Sequence, residues 1–190
     1  MKDSKNFILI GPAGSGKGTQ SKLLLKKFKS LYYVYTGDLL RNLAKKNTIA
    51  GKKIKKVLTS GGLVIDEIAA ALWINDVLFN LKENQGILLD GSPRRIEESI
   101  NLYDFFKFID RVKNTQVFVI DISYEESIKR LIKRKRNDDN EKEIKMRLAW
   151  YKKNVIPAIN YLKKKGIKVT KINGEQSIEN VFKEILSKIK

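Results

Sequence analysis

The chain contains no cysteine and no histidine. The first absence excludes disulfides and thiolate nucleophiles; the two together exclude imidazole proton shuttles and the usual zinc sites. Chemistry here must run on lysine, arginine, carboxylates, hydroxyls, backbone amides and a hard metal ion. Proline is rare, with three in 190 residues, and no Pro-rich linker or low-complexity tail divides the chain. A single sizeable core is therefore expected. No window approaches the 18 consecutive apolar residues of a membrane span. Residues 1–5 lead directly into Phe7–Ile10, an apolar run of strand length that is too short for a signal peptide, so a cytoplasmic location is expected. Acids are also scarce: 21 Asp and Glu stand against 39 Lys and Arg, for a net charge of +18. That excess points to a phosphate-bearing partner, and nucleotides and nucleic acids both satisfy it. Arginine is itself sparse, eight residues beside 31 lysines. Where so lysine-rich a chain uses arginine, a planar fork that grips phosphate bidentately is a sufficient reason.

What is present alternates. Asn6–Ile10, Tyr32–Tyr35, Gly86–Leu89, Thr115–Asp121 and Ile167–Ile172 read as strands, three of them nearly all apolar. Helix-length amphipathic stretches separate them: Gly16–Lys29, Ile65–Leu81, Arg95–Phe108, Tyr124–Arg134, Glu141–Lys165 and Ser177–Ile189. The pattern predicts an α/β fold, a parallel sheet of about five strands with helices on both faces. Residues 36–63 differ, reading as helix and turn with seven cations and the single acid Asp38, so they look like an insertion riding on the sheet.

The strongest motif follows the first strand. Gly11, Gly14, Gly16, Lys17, Gly18 and Thr19 lie in a Gly-x4-Gly-Lys loop between a strand and a helix, the context of a phosphate loop. The glycines let several N–H groups converge on one phosphate, the helix start adds its dipole, and Lys17 neutralises charge between the β- and γ-phosphates. A second element is Ile87–Asp90, an apolar strand ending in an acid that orients Mg²⁺ through a water in such sites. Val117–Asp121 matches that pattern equally well.

The loop from Gly11 to Gln20 resembles that of adenylate kinases, and four further blocks follow in that family's order. Thr36–Arg41 resembles the start of its AMP-binding segment, and Gly62–Glu67 the end. Asp90-Gly91-Ser92-Pro93-Arg94 is similar to its Asp-Gly-aromatic-Pro-Arg signature, and Arg136–Asn140 with Arg147 to its lid and the following helix. The resemblance spans about Asn6 to Phe182. It implies a P-loop NTPase-like kinase domain over 1–190, with 1–34 and 65–190 as core, 35–64 as a small helical nucleoside-monophosphate (NMP)-binding insertion, and 133–139 as a very short lid without metal-binding cysteines.

The implied activity is reversible phosphoryl transfer from Mg·ATP to AMP, with lid closure keeping water from competing as acceptor. ATP would be held by Gly14, Ser15, Gly16, Lys17, Gly18, Thr19, Arg130, Arg134 and Gln176. AMP would be held by Thr36, Arg41, Gly62, Leu63, Val64, Gly91, Ser92, Arg94, Glu98, Arg136 and Arg147. Lys17, Arg94, Arg134, Arg136 and Arg147 would stabilise the transferring group, and Asp90 would orient Mg²⁺ through water. ATP and AMP or ADP are the implied partners of a monomer, with neither membrane nor nucleic acid.

Two positions depart from the family pattern. Ser92 replaces an aromatic or other large side chain, and Glu98 stands where the family has a glutamine that reads the adenine edge. An amide donates and accepts, whereas an ionised carboxylate only accepts. UMP, CMP or GMP therefore remain alternative acceptors, although Thr36 matches the adenylate type. A basic nucleic-acid-binding P-loop protein is the reading from another class, suggested by the charge and the cluster Lys129–Arg136. No aromatic-studded basic strand supports it.

Overall fold

The computed structural model describes residues 4–60, 62, 64–134 and 141–189. Five strands, β1 (Asn6–Ile10), β2 (Leu31–Tyr35), β3 (Gly86–Asp90), β4 (Thr115–Asp121) and β5 (Lys168–Asn173), form one sheet in the order β2-β3-β1-β4-β5. Every pairing is parallel. The order explains the composition of each strand. β1 and β3 are interior and wholly buried, and apart from Asn6 at the start of one and Asp90 at the end of the other they carry no polar side chain. β2 and β5 are edges and carry the tyrosines and lysines.

The strand period of two splits the interior into two cores. On one face Ile8, Ile10, Ile87, Leu89 and Val117 pack with Trp73 and Val77 of α4 (Asp66–Asn80), Leu102 and Phe106 of α5 (Ile96–Phe108), and Ile159 and Leu162 of α8 (Ile156–Lys164). On the other, Phe7, Leu9, Leu88, Phe118 and Ile120 pack with Leu24 of α1 (Lys17–Lys27) and Val181 and Ile185 of α9 (Ile178–Lys188). A small third cluster joins Leu131 of α6 (Tyr124–Arg134) to Ile144 and Leu148 of α7 (Glu141–Trp150), with Ala13 of the phosphate loop packed against it. Two short helices, α2 (Thr36–Ala44) and α3 (Ile49–Thr59), follow β2 directly. Thr48 caps α3 by accepting from the Gly51 amide at 3.0 Å.

The predicted helix 141–165 is interrupted. A five-residue π turn, Tyr151–Val155, separates α7 from α8. Pro157 is the cause: it has no N–H to give, and its ring excludes the carbonyl four residues back, so the helix widens just before it. The turn re-aims the chain immediately after Trp150.

Chain order places the site. The connections leaving β1, β2 and β3 all emerge at the carboxyl ends of the strands, where the chain switches direction across the sheet. Ligands of open α/β sheets bind in the crevice at that edge.

Candidate active site

The β1–α1 connection is a tight cradle. Gly16 adopts a left-handed conformation, φ 91°, immediately before α1, which an L side chain resists. Gly11 has no room for a side chain, since a Cβ there would sit 2.4 Å from the Ile120 carbonyl oxygen. Lys17 folds back over the loop, its Nζ donating to the carbonyls of Gly11 at 2.7 Å and Pro12 at 3.0 Å. These are neutral acceptors, and a phosphate oxygen is a stronger partner for an ammonium group. Ser15 is buried, while Gly16, Gly18 and Thr19 are exposed at the start of α1. Gln20 braces the cradle from below, its Nε2 donating to the Ile178 carbonyl at 3.0 Å.

Asp90 ends β3 opposite Leu9 of β1 and is buried. Its Oδ2 accepts from Ser21 Oγ at 2.8 Å and Tyr33 Oη at 3.2 Å. Burial, and then the Asp90 charge, push the Tyr33 hydroxyl pKa well up, so it stays a neutral donor. Asp121, its rival by pattern, ends β4 half-buried and pairs with Lys171 at 2.8 Å. Both β3 and β4 flank β1, and of the two strand-end acids it is Asp90 that is buried and fixed by two hydroxyls.

Past Asp90 the chain enters a cavity lined by Thr36, Leu40, Val64, Asp66, Ala69, Arg94, Arg95, Glu98 and Trp150. Arg94 is steered by its own turn, with Nε donating to the Gly91 carbonyl at 2.8 Å. Glu98 is 3% exposed and is bonded to Ser92, the other residue that departs from the family pattern. Its Oε2 accepts from Ser92 Oγ at 2.8 Å and from the Arg94 amide at 2.7 Å. The carboxylate therefore presents at most one oxygen to a ligand, which a sequence reading has no means of knowing. Burial pushes the Glu98 pKa up, opposed by Ser92 and Arg94. Asp66 is raised by burial as well, with Arg95 opposing at 3.4 Å.

Arg41 is exposed on α2, bonded to Asp38 and 5.2 Å from the Tyr35 ring centroid. Gly62 is exposed, its amide donating to the Val57 carbonyl at 2.9 Å. Arg147 lies in the last turn of α7, one turn before Trp150. Arg130 donates to Glu126 Oε1 at 2.7 Å and to the Gly174 carbonyl at 2.9 Å. Gln176 donates to Glu184 Oε2 at 2.6 Å in the loop after β5. Leu63, Arg136 and the lid from 135 onward lie outside the described residues, as does the side chain of Arg134. Sequence reasoning missed Leu40, Asp66, Ala69, Arg95 and Trp150 as cavity residues. The signal for Trp150 was its spacing three positions after Arg147, which puts the two on one side of a helix.

A phosphate cradle and a cavity walled in part by Arg94 and Arg95, both at the carboxyl ends of the strands, serve an enzyme that passes a phosphoryl group between two nucleotides, so the class is P-loop phosphotransferase. The sequence family model described as adenylate kinase matches residues 9–167. An adenylate kinase of Prochlorococcus marinus strain NATL1A is 37% identical over 178 residues, 94% of each chain. Those of Leptospira biflexa and Azobacteroides pseudotrichonymphae are each 36% identical, covering 97% of this chain and 100% and 96% of their own. The chain belongs to the adenylate kinase family. No helix among the described residues is long and apolar enough to cross a membrane.

Proposed function

We propose that the protein transfers the γ-phosphoryl group of Mg·ATP to AMP, giving two ADP. An AMP phosphate oxygen bonds to the γ-phosphorus while the bond from that phosphorus to the β,γ-bridging oxygen breaks. The AMP phosphate is already ionised at neutral pH, so no general base is needed. Positioning and charge neutralisation carry the reaction, which suits a chain without histidine or cysteine.

The observation that carries this reading is the pairing of Leu9 with Asp90. It starts the phosphate loop and the Arg94 segment from adjacent strands at one edge. Lys17 and residues 14–19 take the ATP phosphates, with Arg130 and Gln176 toward the adenine. Arg94 and Arg41 take the AMP phosphate in a binding unit made of 35–64. Arg134, Arg136 and Arg147 close over the transferring group as the lid, 133–139, folds down on the core formed by 1–34 and 65–190.

Among the described residues no cluster of three or more metal-ligating side chains occurs. Mg²⁺ with a nucleotide needs none, since phosphates and waters supply most of its six ligands. Asp90 suits it: Oδ2 is tied to Ser21 and Tyr33, and no donor among the described residues occupies Oδ1. The ion would neutralise charge on the β- and γ-phosphate oxygens. We read the enzyme as a cytoplasmic monomer.

The test is a coupled assay of ADP formation from Mg·ATP with AMP, CMP, UMP or GMP as acceptor. AMP should be preferred. A preference for any of the other three in active protein would overturn the assignment of AMP.

A further inference from the structure

Buried polar atoms are nearly always hydrogen-bonded, so orphans call for an explanation. Among the described residues five buried side-chain polar atoms have no partner. Two of the five, Thr36 Oγ1 and Trp150 Nε1, belong to residues that line the Arg94 cavity from different elements. Glu98 lines the same cavity, and its free oxygen can only accept while the carboxyl is ionised. A base with an exocyclic amino group beside a ring nitrogen needs one acceptor and one donor. Glu98 meets the first need and leaves the second open.

We infer that Trp150 is a specificity-determining residue of the acceptor site, its indole N–H donating to a ring nitrogen of a 6-aminopurine whose amino group faces Glu98. This rests on the acceptor reading of the cavity proposed above. Indole suits the part, because Nε1–H is donor-only and cannot be satisfied by another donor. The ring is also held in place: the Arg95 guanidinium stands 4.5 Å from its centroid, and Arg95 reaches Asp66 at 3.4 Å. Arg95 is thus a positioning residue, fixing the indole plane without needing to touch the base. The π turn beginning at Tyr151 sets where α7 ends, and so where Trp150 stands.

The test is a cycle between the protein and the base. Dissociation constants are measured for AMP, 1-deaza-AMP and 7-deaza-AMP, each deaza analogue replacing one ring nitrogen by C–H, with the unmodified protein and with Trp150→Phe. Phenylalanine keeps an aromatic ring and deletes the donor. The unmodified protein should lose about 5- to 100-fold in affinity for one of the two deaza analogues, the range for an unmatched polar group. Trp150→Phe should lose a similar factor for AMP and no longer distinguish AMP from that analogue, with kcat changed little beside KM. Equal weakening of all three nucleotides in Trp150→Phe would show that the indole only packs, and would overturn the inference. So would unmodified protein that binds both deaza analogues as well as AMP. A failure of AMP to serve as acceptor in unmodified protein would show itself before any variant was made, and would remove the acceptor reading instead.

Discussion

Replacing Glu98 by glutamine tests the electrostatics of the acceptor cavity, because two familiar effects pull in opposite directions there. Oε2 accepts from Ser92 Oγ and the Arg94 amide at 2.8 and 2.7 Å. Hydrogen bonds to a charged group contribute about 1.5–3 kcal/mol and neutral ones about 0.5–1.5, so the amide stands to lose roughly 2 kcal/mol over the two contacts. Against this, the ionised carboxylate is held at 3% exposure, and its desolvation is the largest influence on its pKa. The net direction is upward, so burial outweighs both donors, with the Asp66 charge adding to it.

The sign follows from proton linkage. Between the ordinary carboxyl value, about 4.3, and the raised folded value, the native state binds more protons than the unfolded chain. The contribution of Glu98 is therefore fully present below about pH 4.3 and is lost as pH rises through its folded pKa, at about 1.4 kcal/mol for each unit of elevation. Glutamine has no such slope. Urea unfolding of both proteins from about pH 4.5 to 8 should show the unmodified protein losing stability relative to Glu98→Gln as pH rises. The variant should be about equal or slightly weaker at the acid end, where two neutral acceptors are compared. A stability advantage of the unmodified protein that grew with pH would refute this reasoning. It would mean that the Ser92 and Arg94 contacts dominate the burial.

Three further outcomes are expected. Lys17→Ala should remain folded, since the side chain is itself half-exposed and its acceptors at Gly11 and Pro12 are loop carbonyls, yet lose roughly 100- to 1,000-fold or more in kcat. Near-normal turnover in that variant would remove the phosphate-loop assignment. Ap5A, which joins two adenosines through five phosphates, should bind far more tightly than ATP or AMP and raise Tm by mass action, whereas affinity no better than AMP would contradict a two-site enzyme. Despite a net charge of +18, RNA affinity should be weak and should vanish near about 150 mM salt, and sub-micromolar binding there would point to a second role for the basic surface.

The sheet was legible because each strand's environment is written in its own residues. Phe7–Ile10 and Ile87–Leu89 lack polar side chains because both faces are covered, while the Tyr and Lys content of β2 and β5 marks edges. The phosphate loop was legible for a similar reason: Gly11 and Gly16 meet local backbone requirements that no other residue satisfies as easily. Features set by long-range contact were hidden. Nothing near Asp90 announces Ser21 and Tyr33, 69 and 57 residues earlier, as the groups that fix it. Glu98 lay at a recognisable position, yet its partners depend on how the 91–95 turn folds back onto α5. The π turn needed Pro157 to be weighed against an otherwise uninterrupted helical pattern.

One site should bind two adenine nucleotides and exchange a phosphoryl group between them. Incubating the purified protein with Mg·ADP alone and following the products by ³¹P NMR tests it most directly. ATP and AMP should appear in equal amounts, at a rate that collapses in Lys17→Ala. ADP left intact by folded protein, or converted to AMP and free phosphate without ATP, would contradict it.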